Sequence, residues 1–499
     1  MMGRKRFQPK LMYAVTLEDL VPEDNFYRRL ESILDLRFLY QECKAMYGTT
    51  GNPSIDPVVF FKLVLFGYFE NIIFDRELVR RAADSLGVRL YLGFDIDEEL
   101  PWHSTISRTR ASMREDVFEK LFTRVVELCA NAGLIAGVHQ SVDSTLVKAN
   151  ASLDSLEKKR PRLELREYMA EVKKGNTEES EDGEEKNGGD RGSGTVGGER
   201  LELKIGNVGT KKRGERCSNT EYVSRTDPES RIAKKPGTPT DLYYATHYSV
   251  DSKKKVITDV LTTCADVADS TSLLEIVERT RRRLERFGMR VKAVSADRHY
   301  CSGENLRALE GEEIEPFIPS QRYPNTTGGM QRDAFRYDKE RDVYVCPQNN
   351  VLRYSYASKK SRVYSCPASI CSMCPIKEQC TRGRKGRRVQ HSMYAEEYER
   401  LQQRMSTSMG KEARRLRSTG PEPLFAEAKM YHGLSKFMPR GRAKAQKISF
   451  VIATVQNLKR IMSRRKLLKE AAEYLFDSFC IVVGVTSIEP FSRELCRAR

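Results

Sequence analysis

The chain has 499 residues, 39% of them hydrophobic and 31% charged, which points to two to four domains with a sizeable core and not to a membrane-embedded protein. Lys and Arg outnumber Asp and Glu by 86 to 69, a formal +17, so a polyanionic partner is favoured, nucleic acid first, with salt-sensitive binding. The longest apolar stretches, around Val58–Phe69 and Cys480–Val485, are too short to cross a bilayer, and MMGRKRFQPK has no apolar run behind its charges; a cytoplasmic, nucleoid-associated protein is expected.

The first 135 residues read as helical. Asp56-Pro57 is an N-cap followed by proline at the first helical position, ahead of the apolar run Val58–Phe66. A later helix carries Phe118, Leu121, Phe122, Val125, Val126 and Cys129 on one face and stops at Gly133. Between them, Asp75–Arg81 and Trp102–Arg110 set basic residues beside helix starts, as a DNA-contacting domain would; charge spacing alone equally allows a plain bundle with solvated arginines.

From Gly137 the pattern turns to short β-rich runs: Val138–Asp143, Tyr243–Val250 and Lys255–Thr262. A helix is expected over Ser270–Phe287, then a strand Val291–Asp297; strands, helix and strand in that order indicate an α/β core. Between the first two strands lies an intrusion rich in Glu, Lys, Gly and Ser, too polar to bury a core and expected to be disordered over 152–225. The last third holds a cysteine-rich stretch, a basic helical segment and an apolar-faced helix through Ile448, Val451, Ile452, Val455, Leu458, Ile461 and Met462.

Asp143 and Asp297 each end an apolar β-like run, where a carboxylate is rigidly held yet faces solvent. Aspartates also end strands because they favour turns, so a third carboxylate matters. Thr419-Gly-Pro-Glu introduces a helix with Glu422 in its first turn, and Lys429 follows two turns later on nearly the same face. Three such carboxylates suit two Mg²⁺ (or Mn²⁺) ions, which prefer oxygen ligands and act in pairs on phosphodiesters. Asp251, Asp259 and Glu427 compete for the assignment.

Of the twelve cysteines, five crowd between Cys346 and Cys380. Cys371 and Cys374 form a C-x2-C pair which, with Cys380 and the upstream Cys346, is enough for a four-thiolate Zn²⁺ site; Cys366 is the alternative ligand. The flanking Arg382–Arg388 run is basic enough to lie along phosphates.

Taken in order, Gly51-Asn-Pro-Ser-Ile-Asp-Pro-Val-Val, Arg76-Glu-Leu-Val-Arg-Arg, His103-Ser-Thr-Ile-Ser-Arg, Val142-Asp-Ser-Thr-Leu-Val-Lys-Ala-Asn, Asp227-Pro-Glu-Ser, Thr246-His-Tyr-Ser-Val-Asp, Val256-Ile-Thr-Asp, Ala296-Asp-Arg-His-Tyr-Cys-Ser-Gly-Glu-Asn, Glu422-Pro-Leu-Phe, Lys429, His432-Gly-Leu, Arg440-Gly and Asn457-Leu-Lys-Arg resemble the DDE transposases of bacterial insertion sequences. The matching branch has a helical N-terminal domain, a ribonuclease H-like core and a cysteine-rich insertion before the catalytic glutamate. The resemblance spans roughly 15–465, leaving out the polar intrusion.

It implies an α/β fold with five parts: a helical DNA-binding domain (1–135), a ribonuclease H-like core in two pieces (136–320 and 396–465), a zinc-ribbon-like insertion (321–395) and a tail (466–499). It puts the acidic triad on Asp143, Asp297 and Glu422 and a catalytic basic residue on Lys429. Implied partners are double-stranded DNA, as terminal inverted repeats and target, and a second copy of the chain on that DNA. One position departs from the family pattern: the arginine expected four residues before the glutamate is Ser418 here, leaving Arg415 and Arg417 as candidates to replace it. Two rival functions use the same surface, a transposase-derived DNA-binding protein without catalysis and a metal-dependent nuclease that joins nothing.

Overall fold

The computed structural model describes residues 15–48, 54–160, 204–205, 217–320, 329–383 and 386–483. Among these, eight α-helices, α1–α8, run from Leu17 to Asn131 before the first strand. The Asp56 carboxylate accepts Val58 N–H at 2.6 Å and Val59 N–H at 3.1 Å, with Pro57 at the first position of α4 (Pro57–Phe69), which satisfies two of the amides a helix start leaves free. Phe60, Phe61, Leu63 and Leu65 are all fully buried, and a helix apolar on every side belongs in a core. Two elements enclose it and pack on each other: α8 (Glu115–Asn131), whose Phe118 ring meets Phe61 edge-on, and the long final helix Arg442–Val483.

The main sheet comprises β1 (His139–Lys148), β5 (Arg231–Ala233), β6 (Asp241–Asp251), β7 (Ile257–Cys264), β8 (Ala293–Ala296) and β9 (Glu315–Phe317). β6 runs antiparallel to β1 on one side and to β5 and β7 on the other, while β8 is parallel to β1 and β9 to β8. The chain is thus mixed α/β with a helical N-terminal region. The helix Asp269–Glu285 connects β7 to β8, the crossover that parallel strands need.

β7 is an edge, and its free backbone groups are taken by side chains of the last helix. Gln446 accepts Thr262 N–H at 2.5 Å and donates to Val260 O at 2.9 Å, while Asn457 accepts Ile257 N–H at 2.9 Å and donates to Ile257 O at 2.8 Å. That covers the edge and fixes the helix against the sheet.

Two expectations about extent change. The ends of the polar intrusion are folded: β2 (Leu156–Arg160) pairs antiparallel with β4 (Tyr222–Ser224), because Leu156 and Tyr222 have a core to enter. Of the remainder, β3 (Lys204–Ile205) pairs with β2, and residues 161–203 and 206–216 lie outside the described residues. The boundary at 465 also falls inside one continuous helix, Arg442–Val483. Separately, five antiparallel strands, β10–β14, between Arg336 and Ser392 build a small core on Phe335, Tyr344, Leu352 and Tyr364.

Candidate active site

Asp143 sits in the middle of β1, not at its end as the sequence pattern implied; β1 continues five residues further to Lys148 because Leu146 and Val147 are also buried against the sheet. Asp297 does follow the last residue of β8. Val142 pairs with Ala296 in parallel register, which brings the next residues, Asp143 and Asp297, side by side on strands about 4.8 Å apart. Asp297 also caps the turn after it, accepting Arg298 N–H at 2.7 Å.

Glu422 arrives from the other direction. The helix Ser408–Thr419 ends at Gly420, and Pro421 opens the helix Pro421–Tyr431 with Glu422 exposed in its first turn. A Cβ on Gly420 would lie 2.8 Å from Leu416 O and 3.7 Å from Ser141 Cβ, so the joint between the helices rests on β1, two residues from Asp143. Arg417 spans the gap: its Nη1 lies 3.7 Å from Asp143 Oδ2 and 3.6 Å from Glu422 Oε1. Arg415 instead pairs with Glu412 in solvent. The guanidinium beside the acidic residues is therefore that of Arg417, five residues before the glutamate.

Burial pushes the Asp143 carboxyl up to about 6 and the charge of Asp297 adds to it, against the Ser144 N–H, Arg417 and Lys235. Behind it runs a polar network: Ser144 Oγ donates to Asp269 Oδ1 at 3.0 Å, and buried His247 bonds Tyr300 OH at 2.7 Å and Thr263 Oγ1 at 3.2 Å. Burial draws His247 down to about 4, leaving a neutral ring that holds the network. Lys429 is half-buried, and both burial and Lys235 draw its ammonium below the usual lysine value.

The competing carboxylates are occupied elsewhere. Asp251 accepts Ala136 N–H, Gly137 N–H and the Gln140 amide at 2.8–3.1 Å. Asp259 is buried between Arg279 at 3.1 Å and Arg283 at 2.9 Å. Glu427 is held by Lys459 at 2.7 Å and Gln456 at 3.1 Å.

Sequence reading missed Lys235, Ser144 and Asp269. Lys235 carried a usable signal, the Lys-Pro-Gly-Thr turn just before β6.

An all-carboxylate donor set fits hard divalent cations. As the side chains stand, with Arg417 between two of them, no group of three or more His, Cys, Asp or Glu among the described residues is drawn together into a metal cage. That holds also for the cysteines. Cys346, Cys366, Cys371, Cys374 and Cys380 are all free thiols near one another. Burial, with help from Cys371 and other nearby thiols, pushes Cys366 up to about 12. Two sulfurs accept backbone amides, Cys346 from Asn350 N–H at 3.3 Å and Cys371 from Arg387 N–H at 3.4 Å.

Residues 15–112 match the family model described as Transposase domain (DUF772), and residues 345–462 match the one described as Transposase DDE domain. The second match contains Arg417, Glu422, Lys429 and the five clustered cysteines. No curated protein matches the chain. Among solved structures, the cryo-EM piggyBac transposase synaptic complex with hairpin DNA is 11% identical at a TM-score of 0.31, covering 87% of this chain and 72% of that one. A pre-cleavage Mos1 transpososome is 9% identical at 0.16, covering 83% and 93%. Neither overlay is close enough to argue from.

Proposed function

We propose that this chain, whose residues 15–112 match a transposase domain and 345–462 a transposase DDE domain, is a DDE-type transposase that binds the terminal inverted repeats of a bacterial insertion sequence, hydrolyses a phosphodiester at each end and joins the 3′ hydroxyls to target DNA. The observation that carries this is that Arg417 lies within 3.7 Å of both Asp143 on β1 and Glu422 at a helix start, while Asp297 follows the β8 residue that pairs with Val142.

Asp143, Asp297 and Glu422 would hold two Mg²⁺ (or Mn²⁺) ions, which supply activation of the attacking oxygen and stabilisation of the leaving oxygen. The chain's own part is positioning and charge. Arg417 and Lys429 offset the negative charge of the phosphate and the carboxylates, and the Ser144–Asp269 bond fixes the strand carrying Asp143. Water serves as the first nucleophile and the released 3′ hydroxyl as the second, so no protein side chain forms a covalent bond to DNA.

In this reading residues 136–320 and 396–465 form a ribonuclease H-like core, supported by the antiparallel β1–β6–β7 run followed by a helix and the parallel β8 and β9. Residues 1–135 bind DNA, supported by α7 (His103–Ser112), which has no acidic residue and exposes Arg108, and by Trp102 just before it, 68% exposed. Pairing two ends calls for at least a dimer on DNA.

The test is cleavage and strand transfer on duplexes carrying the element's own ends, with Mg²⁺, for wild type, Asp143→Asn, Asp297→Asn and Glu422→Gln. Joined products lost in all three variants, with end binding kept, support the proposal. Released ends that are never joined favour the nuclease, and binding without cleavage favours the DNA-binding protein.

Zinc at Cys346, Cys371, Cys374 and Cys380, with Cys366 as the alternative, is a separate proposal favoured by the amide-to-sulfur bonds at Cys346 and Cys371. Elemental analysis of purified protein decides it: about one zinc per chain, lost on Cys371→Ser with Cys374→Ser, against none.

A further inference from the structure

Lys235 lies in no family-matched segment, yet the fold aims it into the acidic site. It opens a tight turn in which Pro236 is second, Gly237 third at φ +78°, and Thr238 N–H bonds Lys235 O at 3.0 Å. That is a type II turn, in which proline sets the second position and only glycine takes the third without strain. Thr238 Oγ1 also accepts Lys235 N–H at 2.9 Å, so the backbone of Lys235 is fixed from two sides. From this anchor its Nζ reaches Ser144 Oγ at 3.3 Å, next to Asp143.

Lys235 hydrogen-bonds the Ser144 hydroxyl, and its charge acts on the neighbouring Asp143. An ammonium whose backbone is fixed beside the acidic residues stands where a phosphate of a strand lying on them would come.

We propose that Lys235 holds one backbone phosphate of the DNA strand lying in the acidic site, as a positioning residue. This rests on the transposase reading for the identity of the strand. The chemistry is a phosphodiester bound by one point charge, which binds backbone and reads no sequence.

The experiment compares wild type, Lys235→Ala, Lys235→Arg and, as a control for the reading itself, Asp297→Asn, on end-bearing duplexes. Each duplex is unmodified or carries one neutral methylphosphonate at successive positions around the cleaved bond. The proposal expects Lys235→Ala to cut at least tenfold more slowly with Lys235→Arg partly restored. It also expects the salt slope of end binding to fall by about one unit.

At one position the methylphosphonate should slow wild type but not slow Lys235→Ala further, the non-additivity of groups that touch. Additive losses at every position, or an unchanged salt slope, overturn it. A merely structural Lys235, offsetting Asp143, would shift the pH profile of cleavage and leave slope and additivity untouched, which also overturns it. If wild type and Asp297→Asn are equally inactive, the transposase reading fails while the salt slope still decides whether Lys235 touches phosphate.

Discussion

Glu422 and Glu427 lie on one helix, and exchanging each for glutamine should separate catalysis from stability. Glu427 has a side chain 22% exposed and links its helix to the last one through Lys459 at 2.7 Å, Gln456 at 3.1 Å and Arg460 at 3.6 Å. Burial raises its carboxyl, but hydrogen bonds from His432, Lys459 and Gln456 and the charge of Arg460 outweigh that and hold it well below the usual 4.5.

Glutamine keeps the shape and loses the charge, leaving Lys459 and Arg460 short of a partner. With Lys459 39% exposed, the discounted cost is about 2–3 kcal/mol. In a chain this long each kcal/mol moves Tm by no more than about 2 °C, so Glu427→Gln should melt lower by up to about 4–6 °C. Because the folded value is depressed, the contribution is complete above the unfolded value and is lost as pH falls through the folded one. The gap between wild type and variant should therefore be constant from about pH 6 to 8 and close only in acid.

Glu422, with its side chain 53% exposed and one contact at 3.6 Å to Arg417, should give a Tm within about 1 °C of wild type on change to glutamine, with cleavage gone. Calorimetry across pH beside the cleavage assay reads both. Loss of cleavage in Glu427→Gln at unchanged Tm, with Glu422→Gln still cutting, would refute the assignment.

Two further substitutions test the neighbouring roles. Arg417→Ala should reduce cleavage about 100-fold while end binding persists, and Arg415→Ala, whose guanidinium pairs with Glu412 in solvent, should leave rates unchanged; a gel-based rate comparison of the pair decides which arginine serves the site. Asp259→Asn leaves Arg283, 5% exposed, without its buried counter-charge, and should cost about 3–5 kcal/mol in denaturant unfolding. The Asp259→Asn molecules that remain folded should still cut, and if they are inactive at full stability, Asp259 and not Asp143 belongs to the catalytic set.

What could be read from the sequence was whatever is local. The Asp56-Pro57 start of α4 rests on atoms within three residues, and the β6–β7 hairpin announces itself by two β-rich runs joined by a short turn. Glu422 and Lys429 share a face by helix arithmetic alone. The reach of β1 was misjudged because a polar run, Asp143-Ser-Thr, looks like an exit; its burial comes from β6 and β8, which lie in sequence more than ninety residues away.

Arg417 shows most clearly why the site resisted a reading by position. Counting residues back from Glu422 lands on Ser418, as it would if one helix ran unbroken through both. Gly420 and Pro421 break it: Gly420 sits at φ −84°, ψ −86°, and the turn there re-aims the preceding helix so that residue 417 reaches Asp143 and Glu422 together. A guanidinium is long enough to absorb a one-residue offset, whereas the carboxylates are short and must be placed by backbone. The acidic positions should therefore tolerate no shift in register, while the cations around them are set by reach, and Lys235 is the clearest case: it comes from a turn outside both family-matched segments and meets the site only through the fold.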